Sequence, residues 1–390
     1  MTQVAEKAAI PRLAIVGIFG GLFCGYVGLT SVIPVLPSLV RQRYGAANFA
    51  VGLVVTATAL TALLIRPVSG ALADRYGHRR VMQVGALIVA AGGMLYFLPL
   101  ALPALVAVRL LLGVGEASLF TAGAVWTISI APHNRRGQLI GLYGVSMWGG
   151  ISVGTFLGGT LLHFGYGAVW ALSAAVPLAG LLLISSVPAA GHAPPAGGGG
   201  RASVLPRSVL LPGVALALAS AGYAGLAAFI VLHLKARGIG SGVVVLSCYS
   251  AVYAGTRLFI GRLPDQLGPR RVAVWSGIGE AAGLLIIAVA PSLLVAVLGS
   301  LVMGAGFSLL HPSLALMVMN RTERSKQGAA IGAYTSFWDL GLGIWGPVTG
   351  VVATGFGYPA VFVVGAGCAA AAVGIALLVR QPDVQLATAS

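Results

Sequence analysis

Gly70-Ala71-Leu72-Ala73-Asp74-Arg75-Tyr76-Gly77-His78-Arg79-Arg80 is a short charged segment set between two long apolar runs. At a shift of 191 residues it recurs as Gly261-Arg262-Leu263-Pro264-Asp265-Gln266-Leu267-Gly268-Pro269-Arg270-Arg271, with both glycines, the aspartate and the arginine pair in register. Working outward, the same shift sets Arg66 on Arg257, Gly113 on Gly304, Gly115 on Gly306, Gly137 on Gly328, Gly141 on Gly332 and Tyr143 on Tyr334. After one added residue, Phe164-Gly165-Tyr166 meets Phe356-Gly357-Tyr358. Coincident charges and glycines at one register mark an internal duplication, so the two halves of the chain share one fold.

The surroundings of these segments say what that fold is made of. Of the 390 residues 58% are hydrophobic and only 8% are charged, against about a quarter charged in a soluble domain, so most of the chain cannot face water. A bilayer core takes about 20 apolar residues per helix. Twelve stretches fit, at about 12–34, 50–72, 80–99, 104–130, 138–162, 167–187, 209–234, 243–263, 272–290, 293–319, 328–352 and 359–379. The expectation is an all-α membrane protein of twelve transmembrane helices, in two six-helix halves related by an axis along the membrane normal. The expected division is 1–187 for the first half, 188–212 for a cytoplasmic linker marked by Pro194, Pro195 and the glycines 197–200, and 213–390 for the second half.

The net charge of +15 is then a statement about topology rather than nucleic acid. With the N-terminus inside, 16 of the 23 Lys and Arg residues fall in cytoplasmic segments, which places both termini in the cytoplasm and the protein as a multi-pass component of the plasma (inner) membrane. The first 11 residues are short and polar, and the apolar run after them is long enough to span rather than be cleaved as a signal peptide. Cys24, Cys248 and Cys368 lie far apart inside apolar runs and read as small buried hydrophobes.

The segment 70–80 and its copy resemble the signature loop of the major facilitator superfamily (MFS), and the resemblance covers the chain from Gly20 to about Val379. It implies a twelve-helix bundle with a water-accessible path between the halves, operating by alternating access. In it Gly70 and Gly77 allow a tight turn, while Asp74, Arg75, Arg79 and Arg80, with Asp265, Arg270 and Arg271 in the copy, form a latch that breaks as the halves tilt. A basic loop also serves as an orientation signal.

Two further motifs are similar to those of proton-coupled drug exporters in that superfamily. Arg109-Leu-Leu-Leu112-Gly113-Val-Gly115-Glu116 resembles the helix-four motif, and the resemblance assigns Arg109 a part in proton coupling; Leu112 stands where a polar residue is common, and Glu116 where a small one is usual. Burying either ionisable group at mid-membrane costs about 2.5–3.5 kcal/mol, so each is expected to face a cavity or a partner. Seven residues place the two on one helix face about 10 Å apart, too far for a direct pair. Arg109 near the end of its helix, satisfying carbonyls, is the structural alternative. Gly150, Gly154, Gly158 and Gly159 resemble the glycine-rich antiporter motif of helix five, with Thr155 in place of its proline, and Gly346-Pro347 occupies the duplicated position on helix eleven. Hinge bending and ordinary close packing both account for such glycines.

Asp339 on helix eleven has polar and aromatic neighbours suited to a cavity wall, and Glu280 on helix nine is expected to bind a neighbouring helix, with Arg257 as one candidate. Tyr26, Tyr223, Trp126 and Trp338, with Phe120, Tyr143 and Trp148, are candidate cavity aromatics for an amphipathic or cationic substrate, with core packing as the alternative. His311 is the best histidine candidate to contact substrate or proton, with a bond to a neighbouring backbone group as the alternative.

The leading expectation is proton-coupled efflux of a small organic molecule. Proton-coupled uptake of a polar metabolite competes with it, and so does transition-metal transport, suggested by His311, Met317, Met319 and Met303. Met317 and Met319 point to different helix faces, so no compact ligand set forms and no metal site is assigned. The sequence holds no phosphate-binding Gly-rich loop, no nucleophile with its base and no metal triad, so neither ATP drive, nor enzymatic activity, nor a cofactor is expected. The expected partners are the lipid bilayer, the substrate and protons; the protein is expected to act as a monomer without nucleic acid.

Overall fold

The structure is a computed structural model, and it describes residues 12–131, 136–188, 207–323 and 327–379. Most of the expected linker, 189–206, lies outside the described residues. The described residues are almost entirely helical. In chain order the elements are α1 (Arg12–Ser31), α2 (Leu36–Tyr44), α3 (Asn48–Tyr76), α4 (His78–Leu95), α5 (Leu102–Ile130), α6 (Arg136–Leu161) and α7 (Tyr166–Ser186). They continue with α8 (Arg207–Arg237), α9 (Gly242–Ile260), α10 (Leu263–Leu267), α11 (Pro269–Val289), α12 (Leu293–Met319), α13 (Gln327–Phe356) and α14 (Tyr358–Leu378).

Twelve of these described helices have 18 or more residues and follow the twelve expected spans, and 10 are long and apolar enough to cross a membrane. Two short helices were not anticipated. The first apolar run was expected to continue to residue 34, but α1 stops at Ser31 and the chain turns over residues 32–35. Pro34 has no N–H to donate and its ring clashes with the preceding turn, while Pro37 sits comfortably in the first turn of α2. In the second loop Pro264 likewise opens the five-residue α10.

Two compact units emerge. Among the described residues, one contains those of 12–32 and 64–188, the other those of 33–63 and 207–379, so α3 begins in the second and ends in the first. In the first unit α1 packs on α6 and α7, and α4 on α5 and α7. In the second unit α8 packs on α13 and α14, α11 on α12 and α14, and α9 on α12.

Small residues set these distances. Along α6, a Cβ on Gly154 would lie 2.5 Å from the Val27 carbonyl oxygen, and one on Gly158 would fall inside the Ser31 backbone of α1. Gly150, Gly154 and Gly158 of the helix-five motif are therefore a close-packed seam with α1. In the second unit Gly341, 191 residues after Gly150, packs in the same way on Ala217 and Ser220 of α8.

Candidate functional site

In the first unit, α1 and α5 bring two sequence-selected residues together. Tyr26 Oη donates to Glu116 Oε1 at 3.3 Å, with Tyr26 buried and Glu116 half-buried. The approach is close because α1 carries Gly25 and Gly28 on either side of Tyr26: a Cβ on Gly25 would strike Leu119 of α5, and one on Gly28 would strike Pro177 of α7. One helical turn on, Thr30 Oγ1 bonds the Tyr26 carbonyl at 2.7 Å and fixes that stretch of α1. Trp126 lies buried further along α5.

Arg109 occupies different surroundings. It is 2% exposed and lies within electrostatic reach of Tyr96, whose ring stacks on Trp170 at 4.9 Å. Tyr96 immediately follows α4, so the arginine side chain sits toward that end of α5, while Glu116, two turns further on, meets α1.

In the second unit, five aromatic side chains form a closed circuit. Ring centroids are 5.7 Å apart for Trp338 and Tyr223, 5.6 Å for Tyr223 and Tyr249, and 6.3 Å for Tyr249 and Tyr253. The circuit closes through Tyr253 and Phe307 at 5.9 Å and Phe307 and Trp338 at 5.4 Å. Helices α8, α9, α12 and α13 each contribute. Asp339, beside Trp338 in the chain, is 1% exposed. Sequence reasoning selected Tyr223 and Trp338 but missed Tyr249, Tyr253 and Phe307. A signal was available: Tyr249 and Tyr253, Phe307 and His311, and Tyr334 and Trp338 are each i, i+4 pairs, which share a helix face.

Next to the circuit is a device that the duplication made twice. Tyr143 on α6 donates to the Phe120 carbonyl at 2.8 Å, and Tyr334 on α13 donates to the His311 carbonyl at 2.8 Å. All four residues match at the shift of 191. In the first unit the Arg66 guanidinium lies 5.0 Å from the Phe120 ring centroid; in the second, Arg257 Nη1 donates to Tyr253 Oη at 3.1 Å and Arg257 is within electrostatic reach of His311. His311 thus takes the place of a cation-facing phenylalanine, its ring 5.4 Å from that of Tyr334 and its buried Nδ1 without a hydrogen-bond partner among the described residues.

The signature loops also repeat their contacts. Gly77 and Gly268 adopt φ values of 93° and 89°, a conformation that an L side chain resists, and each reverses the chain into the next helix. Arg79 Nη2 donates to the Ser185 carbonyl at the end of α7, and Arg270 Nη2 to the Leu377 carbonyl at the end of α14. Each arginine thereby satisfies an orphan carbonyl at a helix C-terminus, where the macrodipole favours a cation. Asp74 is exposed at the last turn of α3, and Asp265 exposed on α10.

Among the described residues no group of three or more His, Cys, Asp or Glu side chains is arranged to hold a metal ion. Met303, His311, Met317 and Met319 all lie on α12.

The sequence profile described as the Major Facilitator Superfamily matches residues 18–246 and 215–389, almost the whole chain. The chain belongs to this superfamily. It is 33% identical to an uncharacterised MFS-type transporter of Burkholderia mallei, covering 98% of this chain and 95% of that one. It is 32% identical to the uncharacterised MFS-type transporter YhhS of Escherichia coli, covering 97% and 96%. Among solved structures, the nucleoside transporter NupG matches with a TM-score of 0.78 at 15% identity, covering 94% of this chain and all of that one. The human organic anion transporter MFSD10 (TETRAN) matches at 0.70 and 19% identity, covering 94% and 99%. These likenesses establish the fold: an MFS transporter in an all-helical membrane architecture, with a lipid bilayer around it and a small molecule as its cargo.

Proposed function

We propose that this MFS transporter exports a small organic molecule in exchange for protons, with Glu116 as the proton-carrying group of the first unit. The observation that carries this reading is the Tyr26–Glu116 hydrogen bond. A carboxylate on a membrane helix is costly, and here it is half-buried against a phenol hydroxyl that serves it as donor. Protonation of Glu116 removes the charge that the Tyr26 hydroxyl stabilises, so the α1–α5 contact differs between the two protonation states. A difference of that kind is what couples proton occupancy to a change of conformation.

The aromatic circuit of the second unit supports a substrate with an aromatic or cationic face, which stacks against its partly exposed Trp338. Arg109 lies with Tyr96 rather than with Tyr26, and in this reading it holds α5 in place rather than exchanging the proton. The lysine and arginine distribution favours cytoplasmic termini in a plasma (inner) membrane. A monomer suffices, because each proposed group is supplied by one chain.

One observation weakens the likeness to the exporter motif. The buried Thr155 stands where the exporter motif carries proline, so α6 keeps a regular helix at that point. A proton-coupled importer of a polar metabolite is the second reading.

The test is internal pH in proteoliposomes under an imposed proton gradient, with cationic, neutral and anionic organic compounds added in turn to wild type, Glu116→Gln and Tyr26→Phe. Substrate-dependent proton flux that is abolished in Glu116→Gln and slowed in Tyr26→Phe is the expected result, and the sign of the flux separates export from import. Substrate movement without protons would overturn the coupling.

A further inference from the structure

Glu280 lies at the middle of α11 and is 0% exposed. Neither carboxyl oxygen has a hydrogen-bond partner among the described residues. The carboxyl rests against bare backbone: a Cβ on Gly222 of α8 would lie 2.9 Å from Glu280 Oε1, 2.9 Å from a Leu284 methyl and 3.2 Å from the Met303 methyl. Gly306 of α12 packs on the Glu280 backbone, and Gly365 of α14 on Gly222. Gly222 of α8 thus leaves room beside the carboxyl, Gly306 of α12 lets its helix approach the Glu280 backbone, and neither brings it a charge.

Among the described residues the ionisable groups facing it are few and none is a cation. Tyr249 of α9 and Cys368 of α14 lie within its electrostatic reach; α8 contributes Tyr223, whose ring lies 5.6 Å from that of Tyr249, and α12 contributes Met303 and Gly306. On α11 the nearest arginine, Arg271, is nine residues away, about 13 Å along the axis. Arg257, the partner considered from the sequence, bonds Tyr253 instead. A carboxylate sealed in this way would lack both counter-charge and hydrogen-bond donors, at a cost that such sites avoid by keeping the group neutral.

We propose that Glu280 is a proton-binding site of the second unit, holding its proton while α8, α11, α12 and α14 are packed around it and giving it up when that packing loosens. On release the carboxylic O–H bond breaks, the electron pair stays on the carboxylate, and the proton passes to entering water; rebinding reverses the step. Tyr249 links this site to the aromatic circuit, since it faces Glu280 on one side and Tyr223 on the other. This inference rests on the proton-coupled reading but concerns a different carboxyl in a different unit, so the two can fail separately.

The experiment is infrared spectroscopy of the full-length protein in lipid nanodiscs at neutral pH, in H2O and after transfer to D2O. Wild type is expected to show a protonated-carboxyl C=O band that falls to background in Glu280→Gln, shifts in Glu280→Asp, persists in Glu116→Gln and Asp339→Asn, and moves to lower frequency in D2O as the proton exchanges. A Glu280→Gln spectrum identical to wild type would overturn the proposal, as would a band that never responds to D2O, which marks a permanently sealed structural acid. If Glu280→Gln does not fold, the Glu280→Asp shift and the wild-type response to D2O carry the same decision. Should proteoliposomes show no substrate-linked proton flux while this band exchanges, the coupling through Glu116 fails and the Glu280 site stands.

Discussion

At the residue scale, the chain spends its few polar side chains where a neighbour can meet them. The matched hydroxyls of Tyr143 and Tyr334 each bond a carbonyl one helix away, at 2.8 Å in both units. Each bond is worth about 0.5–1.5 kcal/mol, so Tyr143→Phe and Tyr334→Phe are expected to lower the unfolding temperature by similar modest amounts. Equal effects measured by thermal denaturation in detergent would mark the two as one device used twice. The glycines of α6 set a sharper test. Gly158 has no space for a Cβ against Ser31, whereas Gly141 on the same helix faces open space. Gly158→Val should therefore destabilise by about 1–3 kcal/mol or more. Gly141→Ala should be neutral or slightly stabilising, because alanine is the better helix former by about 1 kcal/mol. Tyr26 and Glu116 were both visible as candidates in the sequence, because an ionisable group in an apolar run stands out. Their pairing was not visible, since it depends on the rotation of α1 against α5.

At the element scale, the signature loop joins more than its own two helices. Arg79 and Arg270 reach the C-termini of α7 and α14, so each loop is tied to the last helix of its repeat. Removing either cation leaves the helix end unneutralised, and Arg79→Ala or Arg270→Ala should each cost about 0.3–1 kcal/mol, with lysine restoring part of it. Asp74 is exposed at the last turn of α3, which suits a contact that forms and breaks. Asp74→Asn is expected to slow conformational exchange, read by single-molecule distance fluctuations, with substrate affinity nearly unchanged; equal losses of rate and affinity would argue against a latch. The lengths of the helices were legible because a bilayer demands about 20 apolar residues. The short α2 and α10 were not, because each follows from a proline that breaks one helix and starts another.

At the scale of the whole molecule, residues 33–63 join the second compact unit although they precede most of the first in the chain. The seam responsible runs between the first half of α3 and α13. A Cβ on Gly52 would fall on the Gly346 carbonyl, one on Gly346 would fall on Thr56 Oγ1, and one on Gly350 would lie 2.4 Å from the Asn48 carbonyl oxygen. Gly346-Pro347, read from the sequence as a hinge or packing element, is thus part of a packing seam. Gly346→Leu is expected to open it. In a cysteine-free background, Thr56→Cys should react slowly with an impermeant maleimide and severalfold faster once Gly346→Leu is added; unchanged labelling would show that the seam does not seal Thr56.

The sequence by itself determined the number and length of the spans, the duplication and the superfamily, because hydrophobic length and the spacing of glycine and charge are properties of the chain taken in order. It also marked Glu116, Asp339, Glu280 and His311 as costly groups that require an explanation. Only the tertiary structure decided which of them have company: Tyr26 meets Glu116, Arg109 lies with Tyr96, five aromatics from four helices close into one circuit, and Glu280 is left among glycines. The physical reason is that a helix face is fixed by sequence, but what it faces depends on how far neighbouring backbones approach and rotate, and here glycine sets that approach.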